Sequence, residues 1–190
     1  KEHADFGLVV DPDFDRLAFV DEKGEMFGEE YTLVAIADYV LQNTPGNTVS
    51  NMSSSRALRD VTQRYGGKYS ASAVGEVNVV QQMKDSEAII GGEGNGGIIY
   101  PELHYGRDSL VGIDLFLSYL EDFSISVSQI RNEYPSYFMS KKKIELTHSL
   151  YVDAILKAME VKYASEELNT IDGLKIDFET NWVHLRKSNT

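Results

Sequence analysis

The chain has 190 residues, with 18 Lys and Arg against 30 Asp and Glu, so its formal net charge is −12. That surplus of acid excludes a non-specific nucleic-acid binder and an anionic-membrane binder, both of which need a basic face. Hydrophobic residues at 42% and charged residues at 25% describe a globular chain able to bury a real core, as one large domain or two small ones. With no cysteine, disulfide scaffolds, thiol catalysis and Cys-ligated zinc or iron–sulfur sites are also out. No apolar run approaches the roughly 18–20 residues that span a bilayer. Residues 1–5 show no signal-peptide core, and the cytoplasm is the expected location.

The apolar, β-branched run Phe6–Val10 reads as a buried strand that begins almost at residue 1. Leu17–Val20 and Glu25–Phe27 flank the turn Asp21-Glu22-Lys23-Gly24 and read as a hairpin. Apolar residues at helical spacing predict a helix over Tyr31–Gln42, stopped by Asn43-Thr44-Pro45-Gly46-Asn47. There follow a short strand at Thr48–Ser50, a helix over Ser55–Tyr65 ended by Gly66-Gly67, and a strand at Lys68–Ser70. A helix over Asn78–Lys84 leads to a buried strand at Ala88–Ile90 and a glycine-rich loop, Gly91–Gly97. Helices are expected over Leu110–Leu120 and, with weaker periodicity, Ser126–Tyr134.

This βαβα alternation implies an α/β fold: an open, mixed but largely parallel sheet with helices on both faces. After Pro135 the texture changes to Lys141-Lys142-Lys143, a solvated strand entry. A helix over about Ser149–Val161 and strand-like runs Gly173–Phe178 and Trp182–Leu185 follow, a partial α+β segment. The domain boundary is placed near 135–145. The abrupt start, without Met, and the equally abrupt finish lead us to expect a piece of a longer protein.

Three segments carry chemistry. Asp11-Pro12-Asp13-Phe14-Asp15-Arg16 follows a strand and sets three carboxylates at alternate positions, so that they can turn inward on one hard cation; Mg²⁺ suits such an open oxygen site. A calcium EF-hand is rejected, because Arg16 stands where its loop needs Gly and the flanks are strands. The bland reading is a solvated acidic turn; Arg16, able to grip a phosphate oxygen beside a metal, favours the site. Gly91-Gly92-Glu93-Gly94-Asn95-Gly96-Gly97 combines close backbone approach with one carboxylate and one amide, a chemistry suited to sugar hydroxyls, against the alternative of a flexible surface turn. It is neither a P-loop nor a dinucleotide GxGxxG. Arg186-Lys187-Ser188-Asn189-Thr190, at the exit of a strand, has the donors for a phosphate cradle, though such a polar end is more often plain surface.

In this order the three segments resemble the α-D-phosphohexomutase family, which includes phosphoglucomutases, phosphomannomutases and phosphoglucosamine mutases. Asp11 to Arg16 match its DxDxDR metal loop, Gly92 to Gly96 its GEx(S/N)G sugar loop, and Arg186, Ser188, Asn189 and Thr190 the start of its phosphate-binding loop. Ser72-Ala73-Val74-Gly75-Glu76 is similar to a family segment written TPVG. The resemblance implies that residues 1–27 are the end of domain two, 28–138 domain three and 139–190 the opening of domain four.

It further implies phosphoryl movement between the 1- and 6-hydroxyls of a hexose through an enzyme phosphoserine. Asp11, Asp13 and Asp15 would hold Mg²⁺, and Arg16 would steady the transferring charge as the catalytic residue. Glu93 and Asn95 would bind the sugar, and Arg186, Ser188 and Asn189 the non-reacting phosphate. Many glucose and mannose members carry Ser and His where Asn95 and Gly97 stand; GGEGNGG is closer to the phosphoglucosamine-mutase-like branch, which favours glucosamine phosphate over glucose or mannose phosphate. No TxSHNP-type serine loop occurs in these residues, and Ser53-Ser54-Ser55 reads as a cap region, so the 190 residues alone are expected to be inactive. The expected partners are a phosphorylated hexose and the rest of the parent chain, with no nucleic acid and no membrane.

The alternative is a non-catalytic phosphosugar-binding module of the same fold. A duller one is an acidic interaction domain whose aspartates bind nothing. Arg107 reads either as a reach toward a sugar phosphate or as an ion pair with Asp108 or Glu102. His104 is more often surface or structural than catalytic, and His3, His148 and His184 form no metal set. Trp182 and Phe178 read as core of the last domain.

Overall fold

The computed structural model describes residues 4–145 and 151–187. Gly7–Val10 (β1) and Leu17–Val20 (β2) pair antiparallel, Gly7 opposite Val20 and Val10 opposite Leu17, with the aspartate loop between them. The expected second hairpin is reduced to one bridge, Val20 to Met26, flanked by Asp21 N–H on the Glu25 carbonyl (2.9 Å) and Phe27 N–H on the Phe19 carbonyl (3.0 Å). β1 is not the buried strand anticipated. Leu8 and Val9 are exposed, since β1 pairs with β2 alone and the described residues put no layer over its outer side. β2 faces inward: Leu17 and Phe19 are buried.

The central sheet has the order β4-β3-β5-β6, built from Asn47–Asn51 (β3), Tyr69–Ser72 (β4), Ala88–Glu93 (β5) and Gly97–Ile99 (β6). β3 runs parallel to β4 and β5, while β6 is antiparallel to β5. Glu29–Asn43 (α1) and Ala57–Arg64 (α2) join the larger core cluster with Ile90 and Ile98. Glu76–Asp85 (α3) packs Val79 and Met83 with Val49, Ala88 and Ile99. Ile98 and Ile99, successive on β6, enter different clusters, so both sheet faces are covered by helices, as expected for this class. α1 is buried from Tyr31 through Asp38 because it sits between the sheet and further helices rather than on a surface.

Ser109–Phe123 (α4) starts where Asp108 accepts the N–H groups of Leu110 (2.7 Å) and Val111 (3.2 Å), and ends on Ser124 in the left-handed conformation. Val127–Asn132 (α5) has a capping box between Ser126 and Gln129. On α4, Phe116 stacks on Phe19 with ring centres 3.9 Å apart and meets Phe27 edge-on at 5.6 Å, so the β1–β2 hairpin and the helices share one core. Residues 1–137 accordingly form one compact unit.

Residues 138–190 form a second unit. Lys141–Lys143 are exposed and lie outside any strand. Val152–Lys162 (α6) precedes an antiparallel sheet of Glu167–Asn169 (β7), Leu174–Asp177 (β8) and Trp182–Leu185 (β9), in the order β7-β8-β9. Leu174 and Ile176 are buried in it, Phe178 meets Tyr163 edge-on at 5.7 Å, and Lys175 lies over the Trp182 ring. β7 was not anticipated, its three residues being too short for a period-2 signal. Among the described residues no helix is long and apolar enough to cross a membrane.

Candidate metal and sugar site

The carboxyl ends of the parallel strands β3, β4 and β5 point to one edge of the sheet, where open α/β folds gather their ligand groups. β3 delivers Asn51 there, β4 leads into Gly75 and the first turn of α3 with Glu76, and β5 ends on Glu93. The aspartate loop reaches the same edge through two backbone bonds. Leu17 N–H donates to the Gly96 carbonyl (3.1 Å) and Ser109 N–H donates to the Phe14 carbonyl (3.0 Å).

Within that loop, Asp11, Asp13 and Asp15 each offer an oxygen within 4.8 Å of the others. Asp11 Oδ1 accepts the N–H groups of Asp15 (3.1 Å) and Arg16 (3.0 Å), which folds the loop back on itself. Desolvation of Asp11 opposes its ionisation, but the bonds from Arg16 and Asp15 outweigh it and hold the carboxyl below its ordinary pKa. Asp15 is shifted the other way: desolvation, the carboxyl of Asp11 and the like charges of Asp11 and Asp13 push it up against the pull of Arg107. Arg16 Nε lies 3.7 Å from Asp11 and 3.6 Å from Asp15, with its side chain more than half exposed.

These residues fit a divalent cation. Three hard oxygens converge, Asp15 stays shifted up by desolvation and its acidic neighbours despite the charge of Arg107, and its buried Oδ1 receives no hydrogen bond. A cation bound there would supply charge stabilisation at a phosphate oxygen.

Glu93 is buried rather than held out on a flexible loop. Its Oε1 accepts from Asn51 Nδ2 (2.8 Å) and Gly75 N–H (3.2 Å), and its Oε2 from Arg107 Nη1 (3.2 Å). The glycine-rich stretch expected as a loop is therefore a tight β5–β6 turn, because its glycines pack against neighbouring segments instead of solvent. A Cβ on Gly96 would lie 2.3 Å from the Leu17 carbonyl oxygen. Asn95 is half-buried and its Oδ1 accepts from Gly97 N–H at 3.2 Å. Ser55 accepts from Ala57 N–H at 3.3 Å just before α2, but the cap position is Arg56 and carries no side-chain cap bond, so the serine run expected as a cap region stops one residue short of it.

The residue that composition and spacing left undecided is Arg107. It pairs with neither Asp108 nor Glu102. Its guanidinium contacts Asp15, Glu76 (3.2 Å) and Glu93 (3.2 Å) together. His104 instead bonds Asp108 at 3.1 Å, on the cap of α4. Desolvation of Asp108 is outweighed by that bond and by the helix N–H groups, so its carboxyl lies below its ordinary pKa. Arg186 belongs to the second unit, exposed just beyond β9. Ser188 and Asn189 lie outside the described residues. His184 bonds the Asp172 carbonyl (2.6 Å), and burial lowers its pKa.

Fold and site together define an open α/β domain that gathers an acidic loop and a buried carboxylate at the carboxyl edge of its sheet. Residues 28–137 match the family model for phosphoglucomutase/phosphomannomutase, alpha/beta/alpha domain III, and the chain belongs to that family. It is 33% identical to the phosphoglucomutase/phosphomannomutase of Thermococcus kodakarensis over 98% of its own length and 41% of the relative's. It is 28% identical to the probable phosphoglucosamine mutase of Methanopyrus kandleri over 98% of its length and 42% of that protein's. The crystal structure of a phosphoglucomutase/phosphomannomutase family protein from Burkholderia thailandensis superposes with a TM-score of 0.80 at 24% identity, covering 98% of this chain and 40% of that one. An Aspergillus fumigatus N-acetylphosphoglucosamine mutase, solved with GlcNAc-6P and magnesium, shares the fold at a TM-score of 0.58 and 11% identity, covering 93% of this chain and 46% of that one. The chain thus spans about two fifths of the length of the curated relatives it matches.

Proposed function

We propose that this chain supplies the divalent-metal and sugar-recognition groups of a Mg²⁺-dependent phosphohexomutase, which moves a phosphoryl group between the 1- and 6-positions of a hexose. The observation that carries the reading is the placement of the converging oxygens of Asp11, Asp13 and Asp15 beside the buried carboxylate Glu93, at the carboxyl edge of the sheet. Such an arrangement provides what phosphoryl transfer needs most, positioning and charge stabilisation. Asp11, Asp13 and Asp15 would hold the cation, and the exposed Arg16 guanidinium would meet the transferring group. Glu93 keeps accepting capacity on Oε2 for a sugar hydroxyl, since a carboxylate has about four lone-pair sites. Asn95 keeps its amide donors for a second hydroxyl, its oxygen being taken by Gly97.

Arg186, Ser188 and Asn189 would hold the substrate's non-reacting phosphate. The phosphoryl-carrying serine would come from outside these residues, and the isolated 190-residue chain would turn over no substrate. GGEGNGG supports glucosamine phosphate as the sugar, with the glucose and mannose phosphates as rivals.

The test is activity of the parent protein on the three hexose phosphates, with and without Mg²⁺, for the wild type and Asp13→Asn. Mutase activity that needs Mg²⁺, is highest on glucosamine phosphate and is lost in the variant bears the reading out. Phosphosugar binding without turnover by the intact parent would move it to a non-catalytic module.

A further inference from the structure

Resting on the reading of this edge as a metal and phosphosugar site, we propose that Arg107 is a positioning residue through which cation binding at the aspartate loop is coupled to the sugar-loop carboxylate. A guanidinium presents its N–H groups in a rigid planar fork, and here each corner has a different acid. Nη2 holds Asp15 Oδ2, Nη1 holds Glu93 Oε2 at 3.2 Å, and Nε holds Glu76 Oε2 at 3.2 Å. The backbone N–H of Arg107 donates to the other oxygen of Glu76, also at 3.2 Å. Three chain segments, otherwise distant in sequence, meet on one side chain.

That side chain has little freedom. Only 14% of it is exposed. Its stem crosses Gly97, where a Cβ would stand 2.6 Å from Arg107 Cδ. Its base is fixed by the bridge between Ile99 and Arg107 and by Asp108 N–H on the Ile98 carbonyl at 2.9 Å. Arg107 occupies Oδ2 of Asp15; Oδ1 receives no hydrogen bond, with Arg16 Nε 3.6 Å from it, and is the oxygen a cation would take. Partners that hold a metal-ligating carboxylate by its second oxygen orient it, and losing one typically weakens metal binding about 10–100-fold.

Any movement of Asp15 toward a cation is felt by the guanidinium that also holds Glu93, and the reverse. The coupling is reciprocal, as linkage requires. Lysine at this position would keep the charge but not the fork.

Calorimetric titration of MgCl₂ into the chain tests this, with Arg107→Lys, Arg107→Met, Glu93→Gln and the double variant Arg107→Met/Glu93→Gln. Melting in EDTA establishes which variants fold, and Arg107→Lys replaces Arg107→Met in the cycle if the latter does not. We expect Arg107→Lys to weaken Mg²⁺ binding about tenfold despite its unchanged charge. Glu93→Gln should shift the Mg²⁺ affinity when Arg107 is present and leave it unchanged when Arg107 is absent. Wild-type affinity in Arg107→Lys, or an equal Glu93→Gln shift in both backgrounds, overturns the proposal while the metal site stands. Asp13→Asn separates the two failures: if it binds Mg²⁺ as the wild type does, or the wild type binds none, the metal reading itself falls and the coupling with it.

Discussion

The backbone N–H of Leu17 donates to the carbonyl of Gly96 across 3.1 Å, fastening the exit of the aspartate loop to the turn that follows Glu93. Gly96 has φ of +86°, and a Cβ there would lie 2.3 Å from the Leu17 carbonyl oxygen. Gly96→Ala therefore meets both a disfavoured backbone conformation and a backbone clash. We expect it to cost about 1–3 kcal/mol in urea unfolding and to weaken Mg²⁺ binding, since the two loops must part. An unchanged unfolding midpoint would mean that this contact does not hold the loops together.

Glu22, in the turn after β2, accepts the N–H of Ser128 at 3.2 Å, the Ser128 hydroxyl, and the Ser126 hydroxyl at 2.9 Å, at the start of α5. The Ser128 hydroxyl bond is the main cause of its pKa falling to about 2, against 4.5 ordinarily. Because the folded-state value is depressed, this stabilisation is fully present above pH 4.5 and is lost as the pH falls from there toward 2. Glu22→Gln should lower the melting temperature at pH 7 and flatten the acid limb of the stability profile. Parallel profiles for wild type and variant would refute the assignment.

Phe116 ties α4 to the hairpin by its stack on Phe19 and its edge contacts with Phe27 and Phe6. It is fully buried, so Phe116→Ala should destabilise by about 3–5 kcal/mol. Amide exchange should accelerate in β2 as well as in α4. Exchange confined to α4 would show that the hairpin is held by other contacts.

Buried Asp38 on α1 accepts the hydroxyls of Tyr65 (2.7 Å) and Tyr134 (2.8 Å), with Arg64 at 3.5 Å. Desolvation, reinforced by the Asp38 charge, raises the pKa of both tyrosines. Tyr134→Phe removes one donor from a buried carboxylate and should cost about 1–3 kcal/mol. Asp38→Asn should cost more than Tyr134→Phe, measured by the same unfolding titration, because Arg64 then also loses its counter-charge. The reverse order would place the main contribution in the Tyr134 ring and not in the carboxylate.

Helices α1, α2 and α4 were legible because a 3.6-residue apolar period is written into neighbouring residues, and their ends are set by local stops such as Pro45 and the Asp108 cap. β6 was not, because its three residues carry no period of their own and pair only after the turn at Gly94–Gly96 has formed. The same holds for the outer strand β1. Its apolar composition predicted burial, yet which side of it is covered depends on neighbours that a local pattern does not name.

By itself the sequence determined the acidic balance, the α/β alternation and the alternate spacing of Asp11, Asp13 and Asp15, since each is a property of composition or of adjacent residues. Only the tertiary structure decided that Glu93 is buried and that Arg107 joins it to Asp15 and Glu76. Ion pairing between distant segments depends on which strand ends share an edge, and that is settled by the folding of the sheet rather than by any stretch of chain.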